Sequence, residues 1–173
     1  QEIQNLKAMA FAGKHEVWSL PRLTNYCGTW VRHGGWYPDR KIRLWKKGRA
    51  KWSTGVEGKI LHESLVPSEG VEVASLHSDL LHFSYHTAQD HHRQWAHFSR
   101  VGAKDALRMG RKSISPWGRA ALQWTKNFMI QGGWHDGRAG WDIARRSALS
   151  SYWKWRQVRS LKHGQPKRKI CVD

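Results

Sequence analysis

The sequence predicts a mixed α/β fold, of the α+β kind for this chain by itself, in which strands come first and helices follow. Apolar and polar side chains alternate over residues 41–47, as expected of a half-exposed strand. The longest stretches of helical spacing come after Thr87. Charge divides the chain at the same place: residues 1–86 carry 12 Lys and Arg against 8 Asp and Glu, net +4, whereas residues 87–173 carry 18 against 5, net +13.

In the first part, one short helix is expected before a series of strands. Ile3, Leu6 and Ala10 would share one face of a helix over residues 2–11. Pro21 has no backbone N–H and restricts the residue before it, so it is expected to divide the next extended stretch in two. The predicted extended segments are 16–20, 22–26, 29–33, 41–47 and 71–85, with Gly34 and Gly35 in a turn, and residues 48–59 are predicted to be a loop.

Three helices are expected in the second part. Thr87 is a suitable N-cap with Asp90 three residues later, and the helix that it starts is predicted to end at Gly110. Pro116 suits the first position of a second helix that runs to about Gln131.

The last helix is predicted over about 141–161, after a glycine-rich turn over 132–140. Its Lys and Arg side chains lie away from an apolar stripe, which makes the helix amphipathic. The basic tail, residues 162–173, is expected to be disordered. The stripe consists of Trp141, Ala144, Ala148, Tyr152 and Trp155.

Composition limits the classes of protein to which the chain can belong. The mean hydropathy is −0.72, and no apolar run approaches the length of a membrane-spanning helix. Cys27 and Cys171 do not support a disulfide framework or a metal site, so a reducing compartment is the default. The net charge of +17 indicates an anionic partner or a solvated basic face. The candidate partners are nucleic acid, an anionic membrane surface and a phosphorylated substrate.

Candidate substrate-binding residues begin at Gly34-Gly35-Trp36-Tyr37. Two glycines let a backbone approach a ligand closely, and an aromatic ring beside them can stack on a sugar ring or a base. Arg43 follows on a predicted strand, where its guanidinium would fit a diphosphate. Each feature has an alternative: a tight turn for the glycines, core packing for the aromatic pair, and an ion pair with Asp39 or Glu63 for the arginine.

Short motifs follow one another in a fixed order along most of the chain. In this order they resemble the C-terminal half of bacterial family 2 glycosyltransferases, in the β-1,4-glucosyltransferase-like branch that builds lipopolysaccharide core. The resemblance covers about residues 16–154. The motifs are Pro21-Arg22-x-x-Asn25-x-x-Gly28, Gly34-Gly35-Trp36-Tyr37-Pro38-Asp39, Arg43-Leu44-Trp45, His62-Glu63, Leu81-His82-Phe83-Ser84-Tyr85 and Gly132-Gly133-Trp134-x-Asp136-Gly137-x-x-Gly140-Trp141.

The resemblance implies that residues 1–86 are the acceptor-side half of a GT-A-like catalytic domain and that residues 87–173 are a basic, aromatic helical extension. The enzyme would transfer a sugar, with inversion, from a nucleotide-sugar donor to a lipopolysaccharide-core or other lipid-linked glycan acceptor. The family's nucleotide-binding half and its acidic metal motif would precede this chain, which contains no Asp-x-Asp sequence. This chain alone is therefore expected to be inactive.

The resemblance also implies site residues. Such a transfer needs a carboxylate that takes the acceptor proton, and positive charge on the leaving diphosphate. Glu63 is the first candidate for the base and Asp39 the second. His82 resembles a C-terminal histidine that contacts the metal or the diphosphate, with His62 as the rival ligand. A divalent metal, Mg or Mn, is implied as cofactor. Glu63, Asp39 and His82 are expected to converge in one cleft.

The basic helical part leaves two kinds of partner open. Trp beside Lys and Arg suits the headgroup zone of a bilayer, so a peripheral protein at the cytoplasmic, inner face of the cytoplasmic membrane is expected. A basic nucleic-acid-binding module is the alternative, because aromatic rings among positive charges also stack on bases. The Trp side chains expected in the headgroup layer are Trp117, Trp124, Trp134, Trp141, Trp153 and Trp155.

Overall fold

The structure, a computed structural model, describes residues 15–53, 64–111 and 115–162. Within these residues strands precede helices, which confirms the predicted mixed α+β class. The strands are β1 (Val17–Tyr26), β2 (Thr29–Val31), β3 (Asp39–Trp45), β4 (Ala50–Ser53), β5 (Ser64–Pro67), β6 (Val73–Ser75) and β7 (Leu80–Tyr85). The helices are α1 (Ala88–Arg108), α2 (Pro116–Thr125), a π-helical turn (Lys126–Ile130), a 3-10 turn (Gly133–Asp136) and α3 (Gly137–Lys162).

Strand β1 is the centre of a mixed five-stranded sheet. It pairs antiparallel with β2 and β3, and parallel with β6 and β7. Because β3 and β7 both pair with Arg22, they lie on opposite edges of β1. Both edges of this strand are therefore covered, and its buried residues, such as Val17 and Tyr26, form part of the core. The sheet is therefore mixed, but it does not include β4 and β5, which form a separate two-stranded sheet.

Pro21 does not divide β1, which corrects the prediction of two extended segments. On one edge, β6 pairs with residues 17–19 and β7 pairs with residues 22–26. Pro21 lies in the interval between these two partners. A residue without an N–H is tolerated there because neither parallel strand needs a hydrogen bond from it.

The prediction of a loop over residues 48–59 is wrong in part. Strand β4 pairs antiparallel with β5 in a separate two-stranded ribbon, with Trp52 opposite Leu65. The glycines of this stretch predicted a loop, but a short strand forms there because it pairs with a later segment. Residues 54–59, the predicted helix over 2–11 and most of the tail lie outside the described residues.

The helix start signals are confirmed. Thr87 and Asp90 form a capping box, in which the Thr87 Oγ1 accepts from the Asp90 N–H and the Asp90 carboxylate accepts from the Thr87 N–H. Ser115 caps α2, and Pro116 is its first residue. None of the helices in the described ranges is long and apolar enough to cross a membrane.

Helix α3 begins at Gly137, four residues before the predicted start. Of its predicted apolar stripe, Ala144 and Trp155 are buried, whereas Trp141 is exposed. Trp155 lies under the Arg119 guanidinium, whose Cζ is 4.7 Å from the ring centroid. The prediction that Trp155 enters a lipid layer is therefore wrong, because this indole belongs to the core between α1 and α3.

Glycines bring the start of α3 into backbone contact with the turns before it. A Cβ at Gly140 would lie 1.8 Å from the Gly133 carbonyl oxygen, and a Cβ at Gly133 would lie 2.6 Å from the Asn127 carbonyl oxygen. No side chain fits at either position without a backbone shift. The glycines of the predicted turn thus allow the π-helical turn, the 3-10 turn and α3 to pack backbone against backbone.

An aromatic cluster joins the sheet to the helices. The ring of Tyr26 makes edge contacts with those of Trp36, Tyr85 and His91, and its hydroxyl oxygen lies 3.2 Å from His91 Nδ1. Ile143 of α3 packs against the same cluster. Burial, followed by the nearby charge of Arg146, lowers the pKa of His91 to about 4, so this imidazole is neutral at physiological pH.

We predict that Gly140→Ala lowers the free energy of unfolding by about 3 kcal/mol or more, because the new methyl group must displace backbone. Gly118→Ala in α2 is the matched control. The nearest atom to a Cβ there is 3.7 Å away, so the change should be neutral or stabilising by up to about 1 kcal/mol. Urea unfolding measures both variants. Equal effects of the two substitutions would contradict the close packing of Gly140.

Candidate functional site

The sheet presents a polar face that is built around Arg22 in the middle of β1. Arg22 pairs with Asp39 across β1 and β3, and its Nη2 makes an ion pair with Asp39 Oδ2. Lys41, two residues further along β3, lies on the same face because strand side chains alternate. Its Nζ is 2.9 Å from Asp39 Oδ1. Both oxygens of this carboxylate are therefore bound by cations.

His82 and Arg43 extend the polar face in both directions. His82 on β7 pairs with Thr24, which is two residues from Arg22 on β1, so its imidazole lies on the face of Arg22. Arg43 is exposed at a β-bulge of β3, and it belongs to the group because its charge acts on His82. We call Arg22, Asp39, Lys41, Arg43 and His82 the cationic face.

The cationic face contains three cations, one carboxylate and one imidazole, and the pKa values of the carboxylate and the imidazole are both lowered. Burial by itself would raise the pKa of Asp39, but the hydrogen bond from Lys41 and the charge of Arg22 outweigh it, and the pKa lies below its usual value. Burial, followed by the charges of Arg22 and Arg43, lowers the pKa of His82. With His82 neutral, the cationic face carries a net charge of about +2 and attracts anions.

Arg22 has hydrogen-bonding capacity that the described residues do not use. Its Nε is buried and has no hydrogen-bond partner among them, although its Nη2 is bound to Asp39. A guanidinium can donate in two directions within its plane. Because the Nε is buried, a ligand could reach this guanidinium only through its Nη groups.

The structure brings together some of the predicted site residues. Asp39 and His82 lie on the same face, as the predicted cleft requires, and Arg43 is near enough for its charge to lower the pKa of His82. Glu63 and His62 lie outside the described residues, so their place in the cleft stays a prediction.

The predicted glycine turn lies against the helical part. The Gly34 N–H donates to the Gln131 carbonyl oxygen at 2.9 Å, and a Cβ at Gly35 would lie 2.5 Å from Gln131 Oε1. Trp36 packs in the aromatic cluster with Tyr26 and Tyr85, which agrees with core packing, the alternative to substrate stacking. The substrate contacts predicted for Gly34, Gly35 and Trp36 stay predictions.

Tyr37 is the member of this run with a polar partner near the surface. Its hydroxyl donates to Asp79 Oδ1 at 2.9 Å, and the Arg32 guanidinium lies over its ring at 5.4 Å. Arg32 also pairs with Asp79, 3.5 Å away. Tyr37 is thus held at the edge of the sheet, and its predicted role in stacking on a sugar stays a prediction.

Asp136 fastens the strand turn to the helices. Its carboxylate accepts from the backbone N–H of Arg32 at 3.2 Å and from that of His33 at 2.8 Å, and it lies 2.9 Å from His33 Nδ1. The side chain is only 6% exposed. This contact fixes the segment that leads into β3 and so into Asp39.

Sequence reasoning missed Arg22, Lys41 and Asp136. The first two had a detectable signal: Asp39, Lys41 and Arg43 are spaced by two, and Arg22 interrupts a mostly apolar stretch. No sequence signal indicated Asp136, because its carboxylate accepts hydrogen bonds from backbone groups about 100 residues away in sequence.

The cationic face does not fit a divalent metal. Two cations bind the two oxygens of the one carboxylate, and in the described part of the chain no three His, Cys, Asp or Glu side chains are placed to hold a metal ion. No protein-family model and no solved structure matches the chain.

We predict that Asp39→Asn lowers the free energy of unfolding at pH 7 by about 2 kcal/mol, because it leaves two cations without their counter-charge. A carboxylate with a lowered pKa stabilises the fold above its unfolded pKa, and the effect is lost as pH falls through the folded value. The difference between the two proteins should therefore shrink below about pH 4. Urea unfolding from pH 7 to pH 3 measures it. Glu72→Gln, at an exposed carboxylate, should show no such pH-dependent difference.

Proposed function

We propose that the chain is the acceptor-side and C-terminal part of an inverting family 2 glycosyltransferase. Its substrates would be a nucleotide-sugar donor and a lipopolysaccharide-core or other lipid-linked glycan acceptor. The observation that carries the proposal is the cationic face, where Arg22 and Lys41 bind Asp39 and the charges of Arg22 and Arg43 act on a neutral His82. The order of the sequence motifs, which resembles that family, supports the same reading.

The cationic face suits the leaving diphosphate of such a reaction. As the bond from the sugar to the diphosphate breaks, negative charge grows on the departing oxygen, and fixed cations stabilise that charge. Arg22 is held in place by Asp39, so its guanidinium is oriented before a ligand arrives. His82 is buried enough to remain neutral and can donate one hydrogen bond to a phosphate oxygen.

The carboxylate that takes the acceptor proton is proposed to be Glu63. Asp39 is the weaker candidate, because both of its oxygens are engaged by cations and its pKa is lowered, which makes it a poorer base. Asp39 is better placed to position Arg22 and Lys41. A divalent metal, Mg or Mn, would add positive charge at the diphosphate and would be held mainly by acidic ligands of the nucleotide-binding half.

The proposed enzyme acts at the cytoplasmic face of the cytoplasmic membrane, where a lipid-linked acceptor is presented. The net charge of +13 over residues 87–173 supports attraction to anionic lipid. Exposed Arg138 and Arg145 near the start of α3 contribute to this attraction.

We predict that this chain binds inorganic pyrophosphate through the cationic face. Arg43→Gln should weaken binding by about tenfold, because it removes one charged donor and leaves the Arg22–Asp39 pair intact. Isothermal titration at a fixed ionic strength of about 0.15 M measures the affinity and limits non-specific attraction. Arg100→Gln, at an exposed arginine of α1, is the matched control. Equal weakening by both variants would mean that the charge of the whole protein, and not this face, attracts the anion.

We predict that Glu63→Gln abolishes sugar transfer while donor binding remains nearly unchanged. The substitution removes a proton acceptor but little volume. The assay joins this chain to the nucleotide-binding half that the resemblance places before it, and follows turnover of the nucleotide-sugar together with donor affinity. Transfer by the variant at the wild-type rate would exclude Glu63 as the base.

A further inference from the structure

We infer that α2, the π-helical turn and the 3-10 turn form an apolar edge that inserts into the surface of an anionic lipid bilayer. The apolar edge consists of Trp117, Leu122, Met129, Ile130 and Trp134. The inference deepens the proposed function, since it names the part of the protein that enters the membrane and adds apolar insertion to charge attraction. It rests on the proposed function only for the choice of membrane.

The apolar edge exposes large side chains that a water-soluble surface usually covers. Trp117 is 72% exposed, Leu122 64%, Met129 55%, Ile130 77% and Trp134 54%. Single exposed apolar residues are common on proteins, but a contiguous group marks an interaction surface. These five residues fall within 18 positions of the chain, on α2 and the two turns that follow it.

The geometry of α2 and the π-helical turn sorts apolar residues onto the outer side. Ala120 and Asn127 are buried on the inner side, where α2 packs on α3. Leu122, Lys126 and Ile130 are spaced by four residues and are all exposed, so they share the opposite side. Lys126 is the one charged residue of the three, and its long side chain can extend its ammonium group to a lipid headgroup.

The π-helical turn carries two adjacent exposed residues of the apolar edge. It is closed by the hydrogen bond from the Gln131 N–H to the Lys126 carbonyl oxygen at 2.8 Å. Its wider turn holds an additional residue and presents Met129 and Ile130 side by side at the tip.

Charge favours an anionic bilayer over another protein copy as the occupant. Residues 106–135 contain no Asp or Glu and five Lys or Arg. A second copy would bring the same net charge of +17 to the contact and would be repelled. Anionic headgroups neutralise these cations, while the acyl region accepts the apolar side chains.

Tryptophans lie at both ends of the apolar edge. Trp117 contacts Tyr152 at one end, and Trp134 stacks on His135 at the other. Indole rings prefer the boundary between headgroups and acyl chains. We therefore expect the two indoles at the headgroup boundary when the edge is inserted.

The test is flotation of the whole chain with vesicles of phosphatidylcholine alone or with phosphatidylglycerol added. Wild-type protein should float with the anionic vesicles and keep part of its binding at about 1 M salt, where attraction between charges is screened over about 3 Å. The double variant Met129→Ser, Ile130→Ser should bind at least tenfold more weakly at every salt concentration. Leu81→Ser is the control, because Leu81 is 57% exposed on β7 and lies outside the apolar edge.

Each other outcome overturns the inference. No binding of wild type to either vesicle would exclude a membrane role, and equal binding of the double variant and the Leu81→Ser control would exclude the apolar edge. A dimer in sedimentation that the double variant abolishes would assign the edge to a second copy. Pyrophosphate binding by the double variant separates the two proposals: if it is intact while vesicle binding is lost, the cationic face works independently of the edge.

Discussion

The contact on which the rest of the structure depends is the backbone approach of Gly140 to the Gly133 carbonyl. Because neither residue has a side chain, α3 starts directly on the 3-10 turn, and the turn in turn lies on Asn127. This close approach places Asp136 where its carboxylate can accept from two backbone N–H groups of the strand turn. The helical part thereby fixes the segment that leads into β3.

The cationic face inherits its geometry from this arrangement. Strand β3 carries Asp39, Lys41 and Arg43. Strand β1 carries Arg22, which is paired with β3 on one edge and with β7 on the other. A buried or half-buried group of cations is tolerated only where a carboxylate compensates for it, and Asp39 does so for two of them. The remaining positive charge is available to a ligand.

The sequence predicted what local chemistry determines and missed what distant contacts determine. Alternation predicted β3, and the capping residues Thr87 and Asp90 predicted the start of α1, since both signals depend on near neighbours. The prediction that Pro21 divides β1 was wrong, because the two strands that pair on either side of it come from later in the chain. The glycine pair at Gly34 and Gly35 was equally ambiguous: a glycine that admits a ligand and one that admits another part of the chain look identical in sequence.

The position of β1 has a consequence for the way the protein opens. Its amide groups are bonded to strands on both edges, and Tyr26 at its end is packed under the helices. Exchange of these amide hydrogens with solvent requires that the sheet separate and that the helical part leave it. Slow exchange of the β1 amides therefore reports on one cooperative unit that spans both parts, although strands and helices are segregated in sequence.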